Sequence, residues 1–223
     1  MILDDINDLV PEILPFVRGC TLPTIRNNIL LTAIDFCRRT LFSQENIAGL
    51  DIVADDDVIL IPSPSIHVEQ LYAFSVLIVG RGYIPEINGR TMAVFGSSPN
   101  REMNMKVENQ SDFPSAWSNI PKVGIRVYPT PNVTTLEGIN VRCAYKPTTN
   151  ATKLDRTLLD DHRQAIVRGT LYRLQNMIGE EWANPKAAMV HDRDYELEIS
   201  NARVEVNRDF GLATLYVQPV PLA

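Results

Sequence analysis

The stretch NPKAAMVHDRDYELEISNARVEVN, Asn184 to Asn207, decides how this chain is read. Asn184 followed by Pro185 is a restart signal for a helix: the amide side chain caps the first turn, and proline's missing donor costs nothing there. Ala188, His191, Tyr195, Ile199, Ala202 and Val206 then recur at intervals of three and four, which sets them on one face of an amphipathic helix. Gly211 stands just past the pattern and marks its end. One apolar face needs partners to cover it, and they must come from elsewhere in the 223 residues.

Upstream, LDRTLLDDHRQAIVRGTLYRLQNMIG supplies one. Asp155 is placed to cap it, Leu158, His162, Ala165, Gly169 and Tyr172 follow helical spacing, and Gly179 closes it. The other partner lies near the opposite end of the chain. From Pro23 to about Phe42, Ile25, Ile29, Ala33, Phe36 and Thr40 form one stripe, and Leu30, Ile34, Cys37 and Leu41 a second beside it. Thr21 or Leu22 marks its start. Ahead of it, Asp4 or Asp5 caps a short helix carrying Ile6, Leu9 and Val10.

Between these ends the sequence changes character. Prolines and glycines punctuate β-rich runs: VILI, IHVEQLYAFSVLIV, RTMAVF, NMKVE, KVGIRVYP and INVRCAYKP. Ile125 and Val127 alternate with Arg126, and Val141, Cys143 and Tyr145 with Arg142, so the two runs are expected to pair as a hairpin around TPNVTTLEG. The fold class that follows is α+β: a helical bundle built from both chain ends, residues 1–49 and 149–211, with an inserted antiparallel β domain, 50–148, and an extended C-terminal arm, 212–223.

A net charge of −6 argues against a basic nucleic-acid reader. Cys20, Cys37 and Cys143 are odd in number and lack CxxC spacing, which fits buried free thiols in a reducing compartment. MILDDINDLV carries acids where a secretory signal carries cations, and VLIVG is only strand-length, so neither a targeting peptide nor a membrane span is expected.

Chemistry-bearing residues do not converge. His67, His162 and His191 fall in three elements with no metal-ligand spacing, and no catalytic, cofactor-binding or metal site is expected. Asp160, Asp161 and His162 are the nearest thing to an acid/base cluster, the basis of an alternative reading as a hydrolase. Consecutive helical positions point about 100° apart, however, so they read as a solvated first turn. The acids of HDRDYELE (Asp192, Asp194, Glu196, Glu198) read as wet helix faces, and ADDD (Ala54–Asp57) as a polar turn without a calcium loop's glycine or terminal glutamate. GRGY at Gly80 and GSS at Gly96 lack a phosphate loop's lysine. Trp117 and Trp182 read as core or junction anchors.

The segment LATLYVQPVPLA, Leu212–Ala223, has no charged side chain. Pro219 and Pro221 keep it from helix, and it is too short to cross a bilayer. Leu215, Tyr216, Val217, Val220 and Leu222 along an extended strand are suited to lie in a partner's groove.

The sequence of elements, with FCRRT closing the first long helix, IPSPSIHVEQ in the β region, then LDDHRQAIVRGTLYRLQ, EEWANPKAA and NARVEVNRDFG, resembles the head-to-tail adaptor (connector) proteins of tailed bacteriophages, those of the tail tubular protein A kind above all. The resemblance implies a non-enzymatic virion protein assembled in the host cytoplasm. It implies a homo-oligomeric ring, typically a dodecamer, between portal protein and tail, which docks tail nozzle or tail fibre proteins and lets DNA pass without specific binding. It also implies that Leu215, Tyr216, Val217, Pro219, Val220, Pro221 and Leu222 form the portal-binding arm. Another phage ring component, a tail terminator or gatekeeper, is the alternative within the same class.

Overall fold

The chain's first helical turns open at Asp5, whose Oδ1 accepts from the Asn7 backbone N at 2.8 Å. They comprise a 3-10 turn (Ile6–Leu9), helix α1 (Val10–Ile13) and a second 3-10 turn (Leu14–Phe16). Asp4 does not share the capping role; it lies 3.6 Å from Arg156. This computed structural model describes residues 2–86 and 113–210, with side chains as far as Arg208. The β-like runs RTMAVF and NMKVE, Gly96, Gly211 and the whole 212–223 arm lie outside the described residues.

Helix α2 (Leu22–Thr40) buries every member of its first stripe, together with Leu30, Ile34 and Cys37 of the second. Leu41 is half-buried: as the helix's C-cap it takes a left-handed conformation, φ 57°, and its N donates to the Cys37 carbonyl at 2.9 Å. The single helix expected after Asp155 is two. Helix α3 (Arg156–Asp161) is capped by Asp155, which accepts from Thr157 N at 3.3 Å, and α4 (Arg163–Gln175) follows after a break at His162, φ −120°. Gly179, φ 92°, turns the loop beyond and does not itself end the helix. Helix α5 (Pro185–Phe210) starts as expected, with Asn184 Oδ1 accepting from Ala187 N at 3.2 Å. All six residues of its expected inner face are buried.

Helices α2, α4 and α5 share one core with Ile6, Leu9, Ile13 and Leu158. Gly169 lets them approach: a Cβ there would lie 2.5 Å from Thr32 Cγ2 on α2 and 2.9 Å from the Tyr195 ring on α5.

The middle of the chain forms two antiparallel sheets. One has the order β2 (Gln44–Ile52), β8 (Thr135–Pro147), β4 (Val68–Ile78), β5 (Gly82–Ile84); the other has β3 (Val58–Leu60), β7 (Gly124–Tyr128), β6 (Ala116–Ile120). Strand β2 starts at Gln44, so the first sheet reaches ahead of the boundary expected at residue 50. Alternating residues of both sheets meet in a second core: Ile125 and Val127 from β7, Val141, Cys143 and Tyr145 from β8, and Trp117 from β6. The inward faces are those read from the sequence. The hairpin is not, because β7 pairs with β3 and β6 while β8 pairs with β2 and β4. Pro129 and Pro131 remove amide donors where that ladder would continue, and the chain crosses from one sheet to the other instead.

A short pair, β1 (Leu3–Asp5) with β9 (Lys153–Asp155), ties the N-terminus to the entry of α3. Beside it the two cores meet. Ser43 Oγ donates to Asp155 Oδ2 at 2.6 Å, Tyr145 N donates to the Ser43 carbonyl at 2.8 Å, and the buried Lys146 ammonium pairs with Glu69.

Candidate functional site

His162 sits in the break between α3 and α4, wedged against two aromatic rings. Phe36 is tilted at 5.0 Å between centroids, and Phe42 meets it edge-on at 4.2 Å. Burial holds its pKa below the ordinary value, outweighing the charges of Glu205, Asp161 and Glu198. Its Nε2 is buried without a hydrogen-bond partner, and the carboxylate that approaches is Glu205 of α5, at 3.7 Å. Asp160 points to Arg156, 3.6 Å away, and Asp161 is exposed, so the alternative acid/base cluster is not assembled on His162; nor do the three form a solvated first turn, since the two acids end α3 and His162 is buried behind them. His191, on α5, is also buried. Its Nδ1 lies 3.2 Å from Arg168 Nη1, and burial and that guanidinium together depress its pKa.

The other chemical motifs resolve into structure. In ADDD, Asp56 Oδ1 accepts from Val58 N at 2.9 Å and Asp57 pairs with Arg126 at 3.2 Å, which makes the stretch a polar turn. Glu196 of the acidic helix run binds Arg39 of α2 through both guanidinium nitrogens. Among the described residues no group of three or more His, Cys, Asp and Glu gathers to hold a metal, and no helix is long and apolar enough to cross a membrane. The three cysteines are free and buried, with the Cys37 and Cys143 thiols pushed up to about 12 by burial. Trp117 is a core anchor whose Nε1 donates to the Ile84 carbonyl at 3.1 Å, and Trp182 packs on the edge of the helical core.

What the described surface does present is a face the sequence reading passed over. On α5, opposite the buried stripe, Met189, Val190, Leu197 and Val204 are 74%, 52%, 60% and 49% exposed. At 3.6 residues per turn they fall on one side of the helix, together with Lys186, Arg193 and Arg208, which are also exposed. Arg193 approaches a carboxylate, Asp194, only at 3.9 Å. The acids of α5 lie to the flanks, Asp192 and Glu196 along one edge, Asp194 and Glu205 along the other. Asn201, Val204, Glu205 and Arg208 line a shallow depression near its C-terminal end. The seven-residue spacing of Val190, Leu197 and Val204 was the signal available in the sequence.

A second patch lies at one end of the sandwich, where the turn after β2 meets the entry to β8. Val53, Val133 and Leu136 are exposed there, Leu136 by 74%, beside exposed Asp51, Asp56 and Glu137. The patch is knit together by its backbone. Asp55 N donates to the Pro131 carbonyl at 2.8 Å, Ala54 N to Thr134 Oγ1 at 3.1 Å, and Glu137 N to Asp51 Oδ1 at 2.8 Å. Residues 51–57 and 131–138 contain no lysine or arginine.

The arm residues Leu215, Tyr216, Val217, Pro219, Val220, Pro221 and Leu222 lie outside the described residues. No family model matches the sequence, and comparison with curated proteins finds no match.

Proposed function

We propose that the chain is a head-to-tail adaptor of a tailed bacteriophage, a structural ring subunit that joins portal to tail and extends the DNA channel without turnover. The observation that supports this reading is the order of elements on which the resemblance rests. Segments from both ends of the chain, Ile6 to Cys37 and Leu154 to Ala202, contribute to one helical core, and strands 44–147 between them form a separate sandwich core. In this reading the helical body is the bundle that builds the ring, and the sandwich offers tail nozzle or fibre proteins a docking surface.

The uncharged segment 212–223 is then the portal-binding arm. Twelve extended residues reach roughly 40 Å, enough to leave the body and cross a neighbouring subunit. Ordering such a peptide costs conformational entropy, which an apolar groove on the portal offsets. The test is to end the chain at Gly211 and mix it with portal rings. Sedimentation is expected to show the full chain bound and the shortened chain free; equal binding of both would remove the arm from the mechanism, and binding of neither would remove the portal as partner.

A further inference from the structure

The centre line of α5's outer face carries cations between acidic flanks, the sandwich end carries acids alone, and both expose apolar side chains. The helix offers Met189, Val190, Leu197 and Val204 with Lys186, Arg193 and Arg208 along about 33 Å of its length. The sandwich end offers Val53, Val133 and Leu136 with Asp51, Asp56 and Glu137. Both patches are exposed within one chain, so neither covers the other in the same subunit. We infer that they cover each other between subunits: the outer face of α5 docks the acidic end of the sandwich of a second copy of this chain.

The physical case has three parts. Apolar burial supplies the affinity in each patch, where Leu197 on the helix and Leu136 on the sandwich are exposed beside charged neighbours. The depression lined by Asn201, Val204, Glu205 and Arg208 places one apolar side chain, Val204, beside a cation, Arg208, with one carboxylate, Glu205, in the same lining. Opposite charges fix the direction, because α5 against α5 would set cations against cations and sandwich against sandwich acids against acids. The contact therefore joins two different patches, a head-to-tail arrangement that propagates from copy to copy and closes into a ring when the rotation permits. The proposal rests on the ring reading above and names the surfaces that build the ring.

Charge reversal with complementation tests it on the full chain. One variant carries Arg193→Glu and Arg208→Glu; the other carries Glu137→Arg, with Leu136→Asp as a second route to the same patch. Circular dichroism and melting check that each variant folds. Sedimentation velocity and native mass spectrometry, alone and with portal rings, read assembly. Each variant alone should associate at least about ten-fold more weakly than wild type. The equimolar mixture of R193E/R208E with E137R should regain assembly as alternating copies, since every contact is then either reversed on both sides or on neither.

If wild type assembles and the reversed variants assemble equally well, these surfaces are wrong while the ring reading stands. If wild type stays monomeric at every concentration and with portal present, the ring reading falls and takes the inference with it. A reversed α5 that keeps self-assembly but loses a tail component assigns that face to the tail protein, and overturns the proposal as well.

Discussion

His162 shows how one side chain is fixed by its surroundings and what that costs in acid. Burial against Phe36 and Phe42 depresses its pKa in the folded chain, while the unfolded chain titrates near 6.5. Below 6.5 the unfolded state therefore binds more protons than the folded one, and stability falls with falling pH until the depressed folded pKa is reached. One such group gives a slope of up to about 1.4 kcal/mol per pH unit. His191 acts with the same sign, because burial and Arg168 depress it too. His162→Phe should keep the ring packing and remove roughly half of this slope, read from urea midpoints taken between neutral pH and the onset of carboxylate protonation. An unchanged slope would mean that His162 is not the group being protonated. Glu205→Gln is expected to steepen the dependence, because Glu205 is the charge that most favours the imidazolium.

At the scale of elements, Gly169 is the residue on which the helical packing turns. Gly169→Ala gains about 1 kcal/mol of helix propensity but forces a methyl against Thr32 Cγ2 and the Tyr195 ring, an overpacking cost of about 1–3 kcal/mol. A net loss of about 1 kcal/mol is expected in denaturant unfolding. Thr32→Ser, which removes the nearer methyl and keeps the hydroxyl bonded to the Asn28 carbonyl at 2.8 Å, should recover part of it. That coupling distinguishes a packing cost from a propensity effect. The helices themselves were legible, since caps and 3–4 spacing are local signals: Asn184, Pro185 and the six inner residues of α5 all stand where the sequence put them. The inward faces of β7 and β8 were legible for the same reason. Their pairing was not, because alternation says which side chains point inward but not which sheet they point from. The outer face of α5 went unread for a related reason: Met189, Val190, Leu197 and Val204 are interleaved with Lys186, Arg193 and Arg208, and apolar residues among cations read as a solvated face until their common exposure is seen.

For the whole molecule, the question is whether the helical core and the sandwich core behave as one body. Strand β8 belongs to both: Val141, Cys143 and Tyr145 face the sandwich, while Lys146 turns to the junction, where it lines a small cavity with apolar Leu3, Cys37, Val68, Leu154 and Leu158 and with polar Ser43, His67, Lys153 and Asp155. Its side chain is 3% exposed, its ammonium is paired with Glu69, and burial, ahead of the repulsion from Arg38, lowers its pKa. Removing the partner leaves a buried cation without its carboxylate, so Glu69→Gln is expected to cost about 2 kcal/mol, less than a fully buried pair because Glu69 keeps some solvent contact. Replacing both, Glu69→Gln with Lys146→Met, should restore most of that loss, since an apolar side chain of similar length suits the surrounding residues better than an unpaired charge. Calorimetry adds the decisive reading. If the junction couples the cores, wild type and the double variant melt in one transition and Glu69→Gln alone lowers it or splits it. If Glu69→Gln shifts nothing, the pair is a bystander, and the coupling must run through Ser43, whose hydroxyl holds Asp155 at 2.6 Å and whose carbonyl accepts from Tyr145.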